Sequence, residues 1–211
     1  MNQNLTDITV VLDRSGSMNN CRTDAEGGVN QFIKTQKDQP GDAVFTLVQF
    51  DTEYEFVHKA VPIRDVSHCS LVPRGWTALL DAVGKAVVET GERLSKIPEH
   101  ERPGLVVFVI ITDGLENSSK EYNLSQVRKM IETQREVYKW QFTFLGANVD
   151  AFAEAEKMGI EVKTAGGYVP AKAKSAFDAA ANNVVRMRGE TARGQSVSNY
   201  YTDQERKEMS E

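Results

Sequence analysis

The chain holds only two cysteines, Cys21 and Cys69, among its 211 residues, so a disulfide framework and an all-cysteine zinc site are both excluded. Its three histidines, His58, His68 and His100, are scattered, and none follows a strong strand. The longest apolar run, Leu105 to Ile111, is seven residues, against the roughly 20 needed to span a bilayer. Met1-Asn2-Gln3-Asn4 offers neither a basic nor an apolar signal region, and a cytoplasmic setting is expected. A net charge of −5 gives no electrostatic footprint for nucleic acid. Repeats and low-complexity tracts are also missing.

What is present is an ordinary soluble composition, 40% hydrophobic and 26% charged. A compact monomer of this mass keeps roughly 9,800 Å² of accessible surface, enough burial for one core without metal or disulfide staples. The pattern alternates strand and helix. Ile8–Leu12, Asp42–Phe50, Tyr54–Val61, Leu105–Ile111, Trp140–Leu145 and Ile160–Lys163 read as strands. Residues 23–37, Thr77–Leu94, Asn123–Val137, Asp150–Lys157 and Pro170–Met187 read as helices. The expected fold is α/β: a doubly wound, mostly parallel sheet with helices on both faces and one antiparallel edge strand from the second and third strands. The domain is expected over residues 1–188. Residues 189–211 are expected to be a frayed tail, with Thr202-Asp203-Gln204-Glu205 as a rival capping box for one short helix.

In an open α/β sheet, ligands bind beyond the carboxyl ends of the strands. Asp13-Arg14-Ser15-Gly16-Ser17 follows the first strand, and Thr112-Asp113-Gly114 follows the Leu105–Ile111 strand. Arg74-Gly75-Trp76-Thr77 precedes a helix. Together they offer two carboxylates and several hydroxyls, an oxygen-only set suited to Mg²⁺, Mn²⁺ or Ca²⁺. Asp13, Ser15 and Ser17 alternate, so they can share one face. Read singly, each feature has a plainer role: a polar turn, a helix N-cap at Thr77, a turn at Asp113-Gly114.

Taken together, Asp13-x-Ser15-x-Ser17, Thr77 in Gly75-Trp76-Thr77-Ala78-Leu79, and Asp113 in Ile111-Thr112-Asp113-Gly114 resemble the metal-ion-dependent adhesion site of a von Willebrand factor A domain. The resemblance covers roughly residues 5 to 188. It implies that Asp13, Ser15, Ser17, Thr77 and Asp113 hold a divalent cation, directly or through water. It implies a non-enzymatic binding module whose cation accepts an Asp or Glu from a protein partner, such as an ATPase or an assembly complex. It also suggests an intracellular prokaryotic or phage setting. Two departures stand out. Arg14 replaces the usual residue after the first Asp; it should point away, though its charge could weaken the metal. Trp76 stands where glycine is common, at the expected rim.

The enzymatic alternative is a metal-dependent phosphatase or hydrolase using Asp13. A haloacid-dehalogenase-type phosphatase would need a second Asp where Ser15 stands, a serine hydrolase needs Gly-x-Ser-x-Gly, and Val83-Gly84-Lys85 lacks the rest of a P-loop. Secondary expectations are that Asp81 braces a loop or holds a metal-bound water, that Gly27-Gly28 marks close packing on the sheet or a late helix start, and that Gly146–Asp150 forms a loop open to a partner.

Overall fold

The computed structural model describes residues 1–147 and 150–210. Six strands form one sheet: β1 (Asn2–Asp13), β2 (Asp42–Phe50), β3 (Tyr54–Pro62), β4 (Pro103–Thr112), β5 (Gln141–Ala147) and β6 (Ala165–Tyr168). Their order is β3-β2-β1-β4-β5-β6. Only the β2–β3 pair is antiparallel, as the short Asp51–Glu53 connection requires. The α-helices are α1 (Arg22–Lys37), α2 (Leu79–Ser95), α3 (Leu124–Glu136), α4 (Ala151–Lys157), α5 (Ala173–Ala192) and α6 (Asp203–Ser210). The accessible surface is 9605 Å², close to the value expected from mass.

The continuous apolar run in β4 is explained by burial on both sides. Leu105, Val107, Val109 and Ile111 join Ile8, Val10 and Leu12 of β1 in a core with α1 and α5. Val106, Phe108 and Ile110 face the other way, into a core with α2, α3 and α4. The two central strands therefore fix both layers. No helix among the described residues is long and apolar enough to cross a membrane.

Several expectations need correction. Residues 160–163 are not a strand. Ile160 is buried beside α4, Val162–Thr164 is a 3-10 turn, and β6 begins at Ala165. The Ala-Gly-Gly-Tyr composition of β6 hid it, because glycine and alanine are poor strand formers. α5 starts three residues later than the expected Pro170 and runs past residue 188 to Ala192. Within the expected tail, the described residues include a helix, α6, up to Ser210. Thr202 Oγ1 accepts from the Glu205 N–H at 3.1 Å and Glu205 accepts from the Thr202 N–H at 2.8 Å, the capping box for α6. Tyr201 and Met209 are buried in the α1/α5 core, and the Val169 N–H donates to the Met209 carbonyl.

Gly28 marks helix-on-helix contact, not contact with the sheet. A Cβ there would lie 2.5 Å from Phe177 Cδ2 and 2.9 Å from Phe177 Cβ, on α5. Overpacking of this kind costs about 1–3 kcal/mol. Gly28→Ala should therefore lower stability by that amount in urea unfolding, whereas Gly27→Ala, which meets nothing within 4 Å, should be neutral or slightly stabilising.

Candidate metal centre

β1 and β4 are adjacent and parallel, so both deliver their carboxyl ends to one edge of the sheet. Asp13 ends β1, fully buried. Its Oδ1 accepts from the Ser15 N–H at 2.6 Å and its Oδ2 accepts from Thr112 Oγ1 at 2.6 Å. Ser15 is extended, and a 3-10 turn over Gly16–Cys21 then swings Ser17 back toward it. The two serine hydroxyls are 3.0 Å apart, and Ser17 Oγ donates to Asp113 Oδ1 at 2.6 Å. A Cβ on Gly114 would sit 3.1 Å from Thr77 Oγ1 and 3.4 Å from Ser17 Oγ, so these two hydroxyls converge over a glycine. The structure brings all five sequence-selected residues to one place.

Thr77 does not take the N-cap role. Ala78 is the N-cap of α2 and offers no side-chain bond. Side chains of the segment after β4 serve that end instead. Asn117 Oδ1 accepts from the Thr77 N–H at 2.9 Å, Glu116 Oε2 from the Leu80 N–H at 2.9 Å, and Ser119 Oγ from the Asp81 N–H at 3.0 Å. The Thr77 hydroxyl is thereby released from capping. Asp81 is a brace: its carboxylate accepts from the Lys120, Glu121 and Tyr122 N–H groups.

The three loops are tied together by backbone bonds. The Gly16 N–H donates to the Gly75 carbonyl at 3.2 Å, the Arg74 N–H to the Arg14 carbonyl at 2.8 Å, and the Ala78 N–H to the Asp51 carbonyl at 3.0 Å. Asp51 is the hub, and the sequence reading missed it. Its Oδ2 receives Arg14 Nε at 2.9 Å and Arg74 Nε at 2.8 Å, and its Oδ1 receives the Glu53 N–H at 2.6 Å. The signal was available, since Asp51 directly follows β2, at the same sheet edge as Asp13. Arg14 points away from the site as expected. Asp51 and Glu55 compensate its charge locally.

Electrostatics leave the centre short of positive charge. Burial, opposed by bonds from Thr112 and Ser15, pushes the Asp13 carboxyl up to about 6. Burial likewise raises Asp113, against the Ser17 hydrogen bond. Asp113 Oδ2 is buried with no hydrogen-bond partner. Tyr168, at the end of β6, also has a buried hydroxyl without a partner. Burial first, then the charges of Cys21, Asp113 and Asp13, weaken its acidity, which puts it within electrostatic reach of the same centre. No group of three or more His, Cys, Asp or Glu residues suited to a metal occurs among the described residues. A cation here would depend on hydroxyls and two carboxylates. An orphaned carboxylate oxygen beside converging hydroxyls fits such an ion. Trp76 is 69% exposed next to Thr77, as the expected rim position requires. Of the expected Gly146–Asp150 loop, Gly146 and Ala147 belong instead to β5, where they pair with Gly167 and Tyr168, and Asn148 and Val149 lie outside the described residues; Asp150 caps α4 by accepting from the Ala153 N–H at 3.1 Å.

This sheet order, with one antiparallel edge and a hydroxyl-carboxylate cluster at the carboxyl ends of its central strands, is the von Willebrand factor A fold. A von Willebrand factor type A protein from Catenulispora acidiphila superposes with a TM-score of 0.61 at 16% identity, covering 86% of this chain and 42% of that one. Proximal thread matrix protein 1 from the mussel byssus, with a zinc-occupied MIDAS motif, gives 0.61 at 16% identity over 85% of this chain and 46% of that one. The vWF domain of the type V pili tip protein Mfa5 from Porphyromonas gingivalis gives 0.58 at 11% identity, over 85% of this chain and 94% of that domain. The chain thus spans less than half the length of the first two. No family model matches the sequence, and no curated protein does.

Proposed function

We propose that the chain is a divalent-metal-dependent protein-binding module. Asp13, Ser15, Ser17, Thr77 and Asp113 would hold Mg²⁺, or Mn²⁺ or Ca²⁺ in its place. The observation that carries this reading is the unpartnered, buried Asp113 Oδ2 among converging hydroxyls. A bound cation would supply electrophilic character toward an incoming carboxylate. The chain's own residues bind and orient it. Ser15, Ser17 and Thr77 add no charge, so with one Asp bound directly and the other through water a divalent ion would keep net positive character toward an Asp or Glu of a protein partner. An ATPase or a component of an assembly complex would suit that role. Ser15 occupies the position where a haloacid-dehalogenase-type hydrolase needs a second Asp, which favours binding over turnover.

The test is partner capture from the native host in Mg²⁺ and again in EDTA, with Asp13→Ala alongside. Capture should be lost in EDTA and in the variant. Equal capture in both conditions would count against the proposal. So would calorimetry showing no heat with Mg²⁺ or Mn²⁺, and Mg²⁺-dependent phosphoester turnover that vanishes in Asp13→Asn would favour a hydrolase.

A further inference from the structure

A cleft of about 560 Å³ lies between α2 and the β1-β2-β3 side of the sheet, away from the metal centre. Each element gives it one stripe of side chains. α2 contributes Ala86, Glu89, Thr90 and Arg93, the i, i+3, i+4 and i+7 positions of one helical face. β1 and β2 contribute Thr9 and Thr46, which are partners in the parallel register and stand side by side on the floor. β3 contributes Tyr54 and Phe56, two residues apart and so on one face of the strand.

Faces that join a helix to a sheet are ordinarily apolar, as Ile8, Val10 and Leu12 are on the other side of β1. Here they carry hydroxyls, although Thr9, Thr46 and Thr90 are each no more than 5% exposed. The Thr9 hydroxyl is buried without a hydrogen-bond partner, and so is that of Tyr54. An orphaned hydroxyl destabilises the fold, and valine would fill almost the same space at position 9 without that cost. The Thr46 hydroxyl accepts from the Ala60 N–H at 3.1 Å, which leaves its proton to donate. The charges around the cleft cancel. Arg93 is held by both Asp7 oxygens at 2.7 and 3.0 Å, and Lys59 Nζ lies 3.1 Å from Glu89 Oε2. Glu92 and Lys96, both exposed, are of opposite sign. Neither an anion nor a cation is favoured. No Asn or Gln lines the cleft among the described residues, so it lacks the side-chain amides that read the edge of a nucleobase.

We propose that this cleft binds a neutral hexopyranose sugar, its hydroxyls meeting Thr9, Thr46 and Tyr54 and its C–H surface resting against Tyr54 and Phe56. A pyranose is uncharged, and each hydroxyl on its rim can both donate and accept, which suits hydroxyl partners that can do the same. Its ring also presents apolar C–H groups, which the electron-rich faces of aromatic rings attract. Tyr54 and Phe56 are half-buried and stand edge to face, with ring centroids 5.2 Å apart. Lys59 Nζ lies 4.1 Å from the Phe56 centroid and takes up part of that ring. The volume falls in the range of small-molecule sites, about 300–1,000 Å³. The cleft shares no residue with the metal centre, so the two readings stand or fall separately.

The methyl glycopyranosides of glucose, mannose and galactose would each be titrated into the full chain in EDTA, by calorimetry and saturation-transfer NMR. Adenosine and glucuronate serve as planar and anionic controls. At least one glycoside should bind saturably, and more tightly than either control. Thr9→Val should weaken that binding about threefold to tenfold, the loss of one hydrogen bond, without lowering the melting temperature. Phe56→Leu, at a half-buried position, should weaken it by about the same factor through loss of the ring. Absence of saturable binding by all three glycosides, tighter binding of adenosine or glucuronate, or full affinity in Thr9→Val or in Phe56→Leu would each overturn the proposal.

Discussion

Adding Mg²⁺ or Mn²⁺ to the metal-free protein should raise its melting temperature by about 5–10 °C at roughly one hundred times the dissociation constant. The reason is electrostatic. Folding buries Asp13 and Asp113 close together without a cation, and both carboxyls titrate above their ordinary range. An acid raised on folding binds more protons folded than unfolded, so stability falls as pH rises between the two values. With Asp13 at about 6 in the fold, the metal-free protein should be about 1 kcal/mol less stable at pH 7 than at pH 5 from this group alone. Saturating metal should reverse that slope, because the ion requires the deprotonated carboxylates. Asp113→Ala should abolish the thermal shift. Differential scanning calorimetry at both pH values, with EDTA or Mg²⁺, reads all of this. The two cores are closed without help from the site, so the protein should stay folded in EDTA. A collapse of the fold there would show that the core is not self-sufficient, and an unchanged melting temperature with Mg²⁺ would remove the metal centre.

Asp51→Ala should cost about 1–3 kcal/mol, because it leaves the buried Arg14 Nε–H and the Glu53 N–H without their acceptor while Glu55 still pairs the Arg14 guanidinium. Asp51 and the Arg14 side chain are 1% and 7% exposed, so the guanidinium left behind could not regain water without moving. The neighbouring Glu53→Ala, which removes only a 70% exposed partner of Arg74, should change stability by less than about 1 kcal/mol. Burial tends to raise the Asp51 carboxyl, but bonds from Arg74, the Glu53 N–H and Arg14 outweigh it and hold it below the usual range. An acid lowered on folding stabilises above its unfolded value, and that contribution disappears as pH falls through the folded value. Wild type should therefore lose stability below about pH 4 through this group, and Asp51→Asn should lack that component. Metal affinity should fall in both variants. Gly75, at φ +67°, sits against the Asp51 side chain, and the loop that presents Thr77 is registered by that contact. Urea melts across pH and Mg²⁺ calorimetry would measure both effects.

Much of this was readable from the sequence. Strand-helix alternation and the two-sided apolar run in β4 gave the sheet its class, and a Tyr54 start only a few residues after Phe50 fixed the antiparallel edge. The convergence of Asp13, Ser15, Ser17, Thr77 and Asp113 was readable because they follow strands or precede a helix in the order that one sheet edge requires. Features set by tertiary contact were not readable. β6 is held by pairing with β5, not by its own propensity. Thr112, which bonds Asp13, resembles any strand-end threonine. The Thr77 hydroxyl is available only because Glu116, Asn117 and Ser119 cap α2 from some 40 positions away. The polar 199–210 segment folds because Tyr201 and Met209 find a core that its own composition does not announce.

The position of β1 also governs how the molecule assembles during synthesis. β1 precedes the other five strands of the sheet in the chain yet is a central one, and it pairs with β4 from Asn2↔Pro103 to Leu12↔Ile111. A nascent chain carrying only β1, β2 and β3, which end at Pro62, can pair one edge of β1, while the other edge waits for β4 at Pro103–Thr112. Long-range parallel pairing is slow and leaves an apolar strand edge open to other chains. Refolding should therefore be slow and concentration-sensitive, and ribosome-bound chains should become protease-resistant only after β4 has emerged.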